Sequence, residues 1–516
     1  MTRTALLLII CFATIADAQE VTHLRSLVER NDSATVITQV RHRPSDARDL
    51  LGDLIAQAGR ARTSEADSIL QLSYRLASAY TTAWEDSFPL TNLIRFNRMT
   101  REQRGAKVAA DSVRVAGNTA FGAKGASAAI RLWRDALRRS RAIPDTAGVA
   151  AAIGNIGSGF YHEGELDSAE VYLTRARQLA EAIGDRRTAV NAIGTLGSVS
   201  KDRGDLRQAE RSYTLALGLR TRIGDVGGES ADHNNLGLIA AALGDVAEAR
   251  THYLEALRIS REHDLDDAAA TALLNLGNLA SADADYAEAS NRYLEALTLN
   301  RKLGNDADVA LALHDLGLLG LRTGDYRAAR ARLREALGIF TRVGTTEDLV
   351  QIRRDLAAAD AAMGNLSDAL GELRVAEQLV AQLPRSDDFA AAVSLAQADL
   401  ALELNDYAGA DRKYARAQTL YRRAGDAGGE VEAREGRAQL MVQRQLYSGA
   451  ESQLEAVIRA QLAAGDRRSA AITRLTLGRS HQERGDTTGA RRLIRQAVDT
   501  LHSLGDGIGE AVGILS

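Results

Sequence analysis

The chain of 516 residues is 45% hydrophobic and 26% charged, carries a formal net charge of −4, and contains only 4 prolines and 4% aromatic residues. This composition excludes a collagen-like chain, a disulfide-rich domain and a protein with several membrane spans. The high apolar content and small net charge argue against disorder, and the balanced charge gives no reason to expect nucleic acid as a partner. The scarcity of large aromatic side chains favours an array of helices over a few deep globular cores.

The first 18 residues have the features of a secretory signal peptide. Arg3 provides a basic flank, residues 5–15 are apolar, and Ala16-Asp17-Ala18 forms a small-x-small cleavage site. The apolar stretch is short for a membrane anchor, and Cys11 lacks the small neighbour that a lipoprotein cysteine needs. We therefore expect residues 1–18 to be removed, which leaves a protein without stable membrane insertion. Because arginine far outnumbers lysine, as in GC-rich bacterial genomes, we expect it in the bacterial periplasm or outside the cell.

A short pattern recurs along most of the chain with a step of 40 residues, and once of 41. Alanine stands five residues after every marker position and a bulky residue stands nine after it, while Gly-Asp, Gly-Asn or proline breaks fall halfway between markers. Each repeat is therefore predicted to be two helices of roughly 17 residues. The turns between helices are predicted where glycine ends a helix in the left-handed conformation or proline interrupts it. The markers are Lys124, Gly164, Gly204, Gly244, Ala284, Gly324, Gly364, Asn405, Gln445 and Gly485.

The residue types within a repeat predict how its helices pack. Ala249 and Tyr253 lie one turn apart and therefore share a face of the second helix. The glycine of Leu236-Gly237 on the first helix allows close approach of the second. Asp245 is expected to cap the second helix, with Glu248 completing a capping box.

Two repeats depart from this pattern. Gln397-Ala398 and Arg437-Ala438 stand where the other repeats have Leu-Gly or its close equivalent. We expect looser packing, or a bend of the helix array, at these two places.

The run Asn235-Leu236-Gly237, followed by Gly244-Asp245, Ala249, Tyr253 and Ala256, resembles a tetratricopeptide repeat (TPR). Its 40-residue period is longer than the usual 34 or so and is similar to the variant in spindle-orientation adaptors and, broadly, kinesin light chains. HEAT and armadillo repeats share this period but lack the signature. The resemblance implies an all-α fold: a right-handed superhelix of about ten two-helix repeats over residues 108–505.

The two ends of the chain lie outside this array. Residues 19–107 lack the repeat and are predicted to form helices that cap its first exposed face, with a separate binding module as the alternative. Residues 506–516 begin an eleventh repeat without its second helix, which suggests a fragment or an early-ended product. Exported bacterial proteins of this kind resemble the repeat half of TPR–CHAT proteins, which carry a caspase-like protease domain. The alternative function is therefore the sensory half of such a protease.

The sequence contains no recognisable catalytic motif. Its nine histidines are scattered without an HExxH spacing, and no Walker loop, GxSxG elbow or dinucleotide-binding glycine string occurs. We therefore expect a non-enzymatic protein with no cofactor and no metal site.

The predicted binding surface lies on the first helix of each repeat, which in the resembled family lines the concave groove. Polar residues recur there, and asparagine both donates and accepts hydrogen bonds, so a ladder of amides suits the backbone of an extended peptide. The other interpretation is that these groups satisfy helix ends or face water. We predict a scaffold that binds a protein or peptide ligand through Asn155, Asn191, Asn234, Asn235, Asn275, Asn278, His314, Asp315, Arg354 and Asp355.

A second, weaker pattern lies near the start of the groove. Arg114 and Asn118 occupy positions that suggest the carboxylate clamp of chaperone-binding TPR domains. Such a clamp needs a fuller set of Lys and Asn on neighbouring helices, so capture of a peptide C-terminus is the weaker hypothesis.

Overall fold

The structure, a computed structural model, describes residues 21–384 and 386–504, and this part of the chain forms 25 helices and no strand. The all-α prediction is therefore confirmed. The predicted signal peptide at 1–18 and the predicted eleventh repeat at 506–516 lie outside the described residues. Within the described ranges, no helix is both long enough and apolar enough to cross a bilayer.

The N-terminal part forms five helices with a core of their own. Buried side chains from several of them meet there, including Val40, Leu54, Leu76, Leu93 and Phe96. These helices are α1 (residues 21–29), α2 (Ser33–His42), α3 (Pro44–Arg60), α4 (Thr63–Trp84) and α5 (Phe88–Arg98).

Ten antiparallel helix pairs follow. The first helix, α6, begins at Arg101, ahead of the predicted boundary at 108, because Thr100 caps it in a complete capping box with Gln103. The pairs are α6 (Arg101–Lys124) and α7 (Ala126–Arg141); α8 (Thr146–His162) and α9 (Leu166–Ile183); α10 (Arg186–Asp202) and α11 (Leu206–Ile223); α12 (Val226–Ala242) and α13 (Val246–Glu262); α14 (Asp266–Ala282) and α15 (Tyr286–Leu303); α16 (Asp306–Thr323) and α17 (Tyr326–Val343); α18 (Thr346–Ala362) and α19 (Leu366–Val380); α20 (Asp387–Glu403) and α21 (Tyr407–Ala424); α22 (Ala427–Gln443) and α23 (Tyr447–Ala463); α24 (Arg467–Glu483) and α25 (Thr487–Ser503).

The chain divides into two compact units, and the boundary falls inside α14. Unit 1 is Met1–Ala272 and contains α1–α13; unit 2 is Leu273–Ser516 and contains α15–α25. Within each unit the helices stack pair upon pair, as in an all-α repeat superhelix.

The turns between the helices follow the predicted left-handed geometry. Most markers are glycines with positive φ, such as Gly164 at 76° and Gly244 at 84°. Three markers without glycine, Ala284, Asn405 and Gln445, also have a positive φ, of 60°, 58° and 60°. The first pair differs, because Gly125 (φ 80°), and not Lys124, makes the turn. The marker lysine instead ends α6, which leaves a one-residue connection to α7.

The small residue of the Leu-Gly pair lies directly beneath the bulky residue of the partner helix. A Cβ added to Gly237 would lie 2.5 Å from the ring of Tyr253, and one added to Gly277 would lie 2.5 Å from the ring of Tyr293. Tyr253 is only 2% exposed. The close approach predicted from sequence is therefore a steric requirement, because no side chain fits between these helices.

The pair α20–α21 does not show the looser packing that we expected. Ala398 is fully buried and Tyr414 is 1% exposed. The Tyr414 hydroxyl donates a hydrogen bond to Asp399 (2.6 Å), and Gly436 on α22 leaves room for the ring. The room that glycine provides elsewhere thus comes from a different helix here.

The predicted aspartate caps form, but the complete capping boxes occur at other helices. Asp245 accepts a hydrogen bond from the Glu248 amide (2.9 Å), and Asp285 caps α15 in the same way (3.1 Å to the Glu288 amide). A complete box, in which the third side chain bonds back to the cap residue, forms at Thr345 with Asp348.

The glycine beneath Tyr253 yields a stability prediction. Gly237→Ala should lower the free energy of unfolding by about 1–3 kcal/mol, because the new methyl group overpacks the α12–α13 contact. Urea denaturation followed by circular dichroism measures the loss. The double variant Gly237→Ala/Tyr253→Leu should recover part of it, because it reproduces the buried Ala357–Leu373 combination of the α18–α19 pair.

Gly218→Ala is the matched control for this prediction. A Cβ at Gly218 meets nothing within 4 Å on the exposed side of α11, so alanine should stabilise the helix by about 0.5–1 kcal/mol. Equal effects of the two single substitutions would contradict the steric interpretation.

The left-handed turns predict opposite changes in stability for two substitutions. Gln445→Gly should raise the urea midpoint, because glycine adopts the positive φ of this turn without the roughly 1 kcal/mol penalty of a side chain. Gly204→Ala should lower the midpoint by a similar amount, since its Cβ would enter open space and only the backbone conformation (φ 83°) opposes it. A midpoint that moves in the same direction in both variants would refute this account.

Candidate functional site

The N-terminal helices dock on the turns of the second and third helix pairs of unit 1. The Tyr80 hydroxyl donates a hydrogen bond to the Ile223 carbonyl (2.7 Å), and Arg48 donates to the Gly224 carbonyl (3.3 Å). The indole of Trp84 lies against Gly224, where any Cβ would come within 2.4 Å of the ring. Because this glycine also has a positive φ of 64°, both backbone and packing exclude a side chain there.

A second set of contacts lies one repeat earlier. Arg95 on α5 donates to the Ile183 carbonyl (3.4 Å), and Arg186 on α10 donates to the Glu85 carbonyl (3.0 Å). The N-terminal helices are therefore hydrogen-bonded to the turns of two successive helix pairs. They extend along the second and third pairs and do not only cover the first pair.

A cavity of about 1210 Å³, here called the unit 1 cavity, lies between these two parts. Helix α3 and the start of α5 line one side of it, and the first helices of the pairs, α6, α8, α10 and α12, line the other. The walls therefore come from two stretches far apart in sequence, and they border a half-open space that belongs to unit 1 alone.

The lining of the unit 1 cavity is rich in charged and amide side chains and is balanced in charge. Six cationic and six carboxylate side chains reach it, together with five asparagines. The cations are Arg48, Arg60, Lys107, Arg114, Arg187 and Arg220. The carboxylates are Asp49, Asp53, Asp86, Asp111, Asp185 and Asp232, and the amides are Asn92, Asn118, Asn155, Asn191 and Asn235.

One buried ion-pair cluster ties α6 to α8. The Lys107 ammonium lies 2.9 Å from Asp145 and 3.2 Å from Asp111, and only 6% of its side chain is exposed. Burial opposes the charge, but the two carboxylates outweigh it and raise the pKa of Lys107. Asp145 also caps α8 through the Gly148 amide (3.1 Å), so the cluster fixes the start of a cavity-lining helix.

Arg220 is the centre of a second cluster. It donates to Asp232 (2.7 Å) and Asn191 (3.1 Å), and it also pairs with Asp225. Burial raises the pKa of Asp232 to about 6, against the opposing effect of Arg220. This arginine lies on the second helix α11 and joins the first helices α10 and α12.

The structure brings three of the predicted site residues together in the unit 1 cavity. Asn155 donates to Asn118 (3.0 Å), Asn191 accepts from Arg220, and Asn235 lines the wall beyond them. Asn234 lies beside Asn235 on α12 but is not part of the cavity wall. The two clamp candidates, Arg114 and Asn118, line the same cavity.

The other six predicted residues belong to unit 2, where several are engaged within the protein. Asn278 accepts a hydrogen bond from the Tyr293 hydroxyl (2.7 Å). His314 Nε2 lies 2.7 Å from Asp355, and Arg354 donates to the other oxygen of that carboxylate (2.8 Å). Burial would raise the pKa of Asp355, but the hydrogen bond from His314 and the Arg354 charge hold it below its ordinary value.

Asp315 and Asn275 complete this set. Asp315 is half-buried on α16, and burial raises its pKa to about 6, against the opposing effect of adjacent His314. Asn275 lies half-buried on α14. No described residues in either unit form a group of three His, Cys, Asp or Glu arranged to hold a metal ion.

Sequence reasoning missed several cavity residues. Arg187 and Asp232 lie one helical turn before the predicted Asn191 and Asn235, so the helical period alone extends the polar face to them. Arg48 and Asp49 carried no such signal, because their place in the wall depends on the docking of α3.

The raised pKa of Asp315 predicts a pH-dependent stability difference. Its carboxyl holds a proton in the folded protein between about pH 4 and pH 6, where the unfolded chain has released it, so wild-type stability falls as pH rises through that window. Asp315→Asn removes this loss. The variant should have the higher urea midpoint at pH 8 and no advantage at pH 4, and an equal difference at both pH values would contradict the assignment.

Comparisons with known proteins agree with this fold. Residues 229–302 match the family model described as tetratricopeptide repeat. No curated protein matches the chain.

Three solved structures are similar to the chain. The apo form of the quorum sensor NprR from B. thuringiensis is 12% identical, covers 68% of this chain and 98% of its own, and superimposes with a TM-score of 0.54. The apo form of RapI is 11% identical and covers 77% and 99%, with a TM-score of 0.50. BtubC from P. vanneervenii is 26% identical and covers 43% and 91%, with a TM-score of 0.38. The first two show the same kind of helical repeat fold.

Proposed function

The chain is a tetratricopeptide repeat protein, and we propose that it holds an extended peptide, or a peptide segment of a partner protein, in the unit 1 cavity. The observation that carries this proposal is the wall itself. Its amides and paired charges come from the first helices of four successive pairs, opposite α3 and α5.

The size and polarity of the cavity favour a peptide over a small apolar ligand. Small-molecule sites usually measure about 300–1,000 Å³ and are mostly apolar, whereas this cavity is larger and carries many charged and amide side chains. A peptide backbone presents alternating donors and acceptors. The side-chain amide of asparagine can pair with both, because its nitrogen donates and its oxygen accepts hydrogen bonds. The space between the two walls is half-open and suits an extended segment, so we propose that a single peptide segment enters it.

Asn235 is the best single probe of this surface. It lines the cavity, and no hydrogen bond involves its side chain within the described residues. Its donor and acceptor are thus available to a ligand, whereas Asn155 and Asn191 already bond to Asn118 and Arg220.

The proposed place of action is the bacterial periplasm or the cell exterior. This part of the proposal rests on residues 1–18, whose sequence has the features of a signal peptide. The wider role that we propose is that of a non-enzymatic scaffold or sensor. The fold is compatible with such a role, since NprR is itself a quorum sensor.

The peptide proposal predicts selective binding that depends on the cavity. A random octapeptide library, acetylated and amidated at its ends, is incubated with the purified protein, and retained peptides are identified by mass spectrometry. Asn235→Ala should weaken binding of the selected peptides about tenfold, because it removes one or two hydrogen bonds. Ala231→Trp, at an exposed position of the wall beside Asn235, should also weaken binding, because its ring obstructs this part of the cavity.

The control is Asn291→Ala, an exposed asparagine on α15 outside the cavity. It should leave the affinities unchanged. Failure of the wild-type protein to retain any peptide, or equal losses in Asn235→Ala and Asn291→Ala, would refute the proposal.

A further inference from the structure

Several charged groups in the unit 1 cavity are neutralised by close partners, whereas Arg187, like Arg60, has no such partner among the described residues. Lys107 pairs with Asp111 and Asp145, and Arg220 pairs with Asp225 and Asp232. Arg187 makes no hydrogen bond and no ion pair with any described residue, yet it lines the same wall.

The position of Arg187 is that of a ligand-binding group. It lies at the start of α10, one turn before Asn191, and its side chain is accessible from the cavity. The side chain of Arg187 is exposed to the solvent of the cavity, but partial desolvation by the surrounding walls lowers its pKa, and the charge of Arg48 lowers it further. A cation in these surroundings is stabilised by an anion, because the local dielectric screens it less than water does.

Arg48 adds positive charge from the opposite wall. Its guanidinium is held by the Tyr80 hydroxyl (2.7 Å) and the Gly224 carbonyl (3.3 Å), and its Nε is buried without a hydrogen-bond partner. Neither bond neutralises the charge, and the closest carboxylate, Asp225, is 3.9 Å away and also paired with Arg220.

The carboxylates around Arg187 have other functions. Asp185 caps α10 through the amide and hydroxyl of Thr188 (3.0 and 2.7 Å), and Asp225 bonds to Arg220. Asp225 and Asp49 attract Arg187 electrostatically, but neither forms an ion pair with it among the described contacts. The guanidinium of Arg187 can therefore still form an ion pair with an incoming anion.

We propose that Arg187 binds a carboxylate of the peptide ligand in a bidentate pair, with Arg48 adding to the positive potential around it. This inference rests on the proposed function and names the chemistry of one part of the ligand. The six carboxylates of the wall balance its cations, so a group with a single negative charge suits the site better than a doubly charged phosphate. The carboxylate belongs either to the peptide C-terminus or to an Asp or Glu side chain.

Three acetylated octapeptide pools distinguish these sources. The first has an amidated C-terminus and no Asp or Glu, the second has a free C-terminus and no Asp or Glu, and the third has an amidated C-terminus with one Asp or Glu. Wild-type protein should bind the best peptides of the second or third pool at least about tenfold more tightly than those of the first. The pool whose best peptides bind more tightly than those of the first pool identifies the source of the carboxylate.

Variants assign the effect to Arg187. Arg187→Gln should reduce binding of the favoured pool to the level of the first pool, and Arg187→Lys should retain part of the gain, because it keeps the charge without the bidentate geometry. Arg131→Gln is the matched control, since Arg131 is likewise an exposed arginine but lies on α7, outside the cavity wall. It should leave the discrimination intact, and the urea midpoint of Arg187→Gln should match that of the wild type.

The outcomes separate the two proposals. Equal binding of all three pools, or discrimination that survives in Arg187→Gln, overturns the carboxylate site while leaving peptide binding in place. No binding of any pool by the wild-type protein overturns both.

Discussion

The architecture depends on one steric constraint: in each helix pair, a small residue on the first helix lies beneath the bulky residue of the second. Gly237 beneath Tyr253 and Ala357 beside Leu373 satisfy it with different volumes. The constraint is local, because both partners belong to one pair and are close in sequence. Successive pairs therefore form by the same rule, and their apolar faces are buried by stacking.

The N-terminal helices change what the stacked pairs offer to a ligand. Stacked first helices alone present an open polar face, from which a bound peptide exchanges freely with solvent. In unit 1, α3 and α5 lie across that face, and the polar groups become the walls of a partly enclosed space. Interactions between charges strengthen there because less water screens them, which explains why paired clusters such as Lys107 with Asp145 occur at the edges of the cavity.

The sequence contained most of the information on the repeats. Alanine at a fixed place in every 40 residues predicted the paired helices, and the marker positions predicted left-handed turns even at Gln445. Local exceptions were not predictable in the same way. Gly125 takes over a turn from Lys124, and Gly436 makes room for Tyr414 from a neighbouring helix, because steric compensation crosses from one repeat to the next.

The candidate site was only half visible in the sequence. The periodic first helices supplied Asn155, Asn191 and Asn235, and the helical spacing leads from them to Arg187. The opposite wall follows from contacts between residues far apart in the chain, such as Arg48 with the Gly224 carbonyl. Residues 19–107 have no repeat, so periodicity gave no indication of where these helices dock.

The docking of the N-terminal helices has a consequence for how this protein tolerates mutation. The hydrogen bonds that join the two parts end on main-chain carbonyls, those of Ile183, Ile223, Gly224 and Glu85. Every residue type supplies such an acceptor. Most residues at these turns can therefore be substituted during evolution without loss of the hydrogen bonds that hold the N-terminal helices in place. Gly224 is the exception, because Trp84 packs against it. We expect selection to act on Gly224 and on the side chains that donate these hydrogen bonds, which are those of Arg48, Tyr80, Arg95 and Arg186.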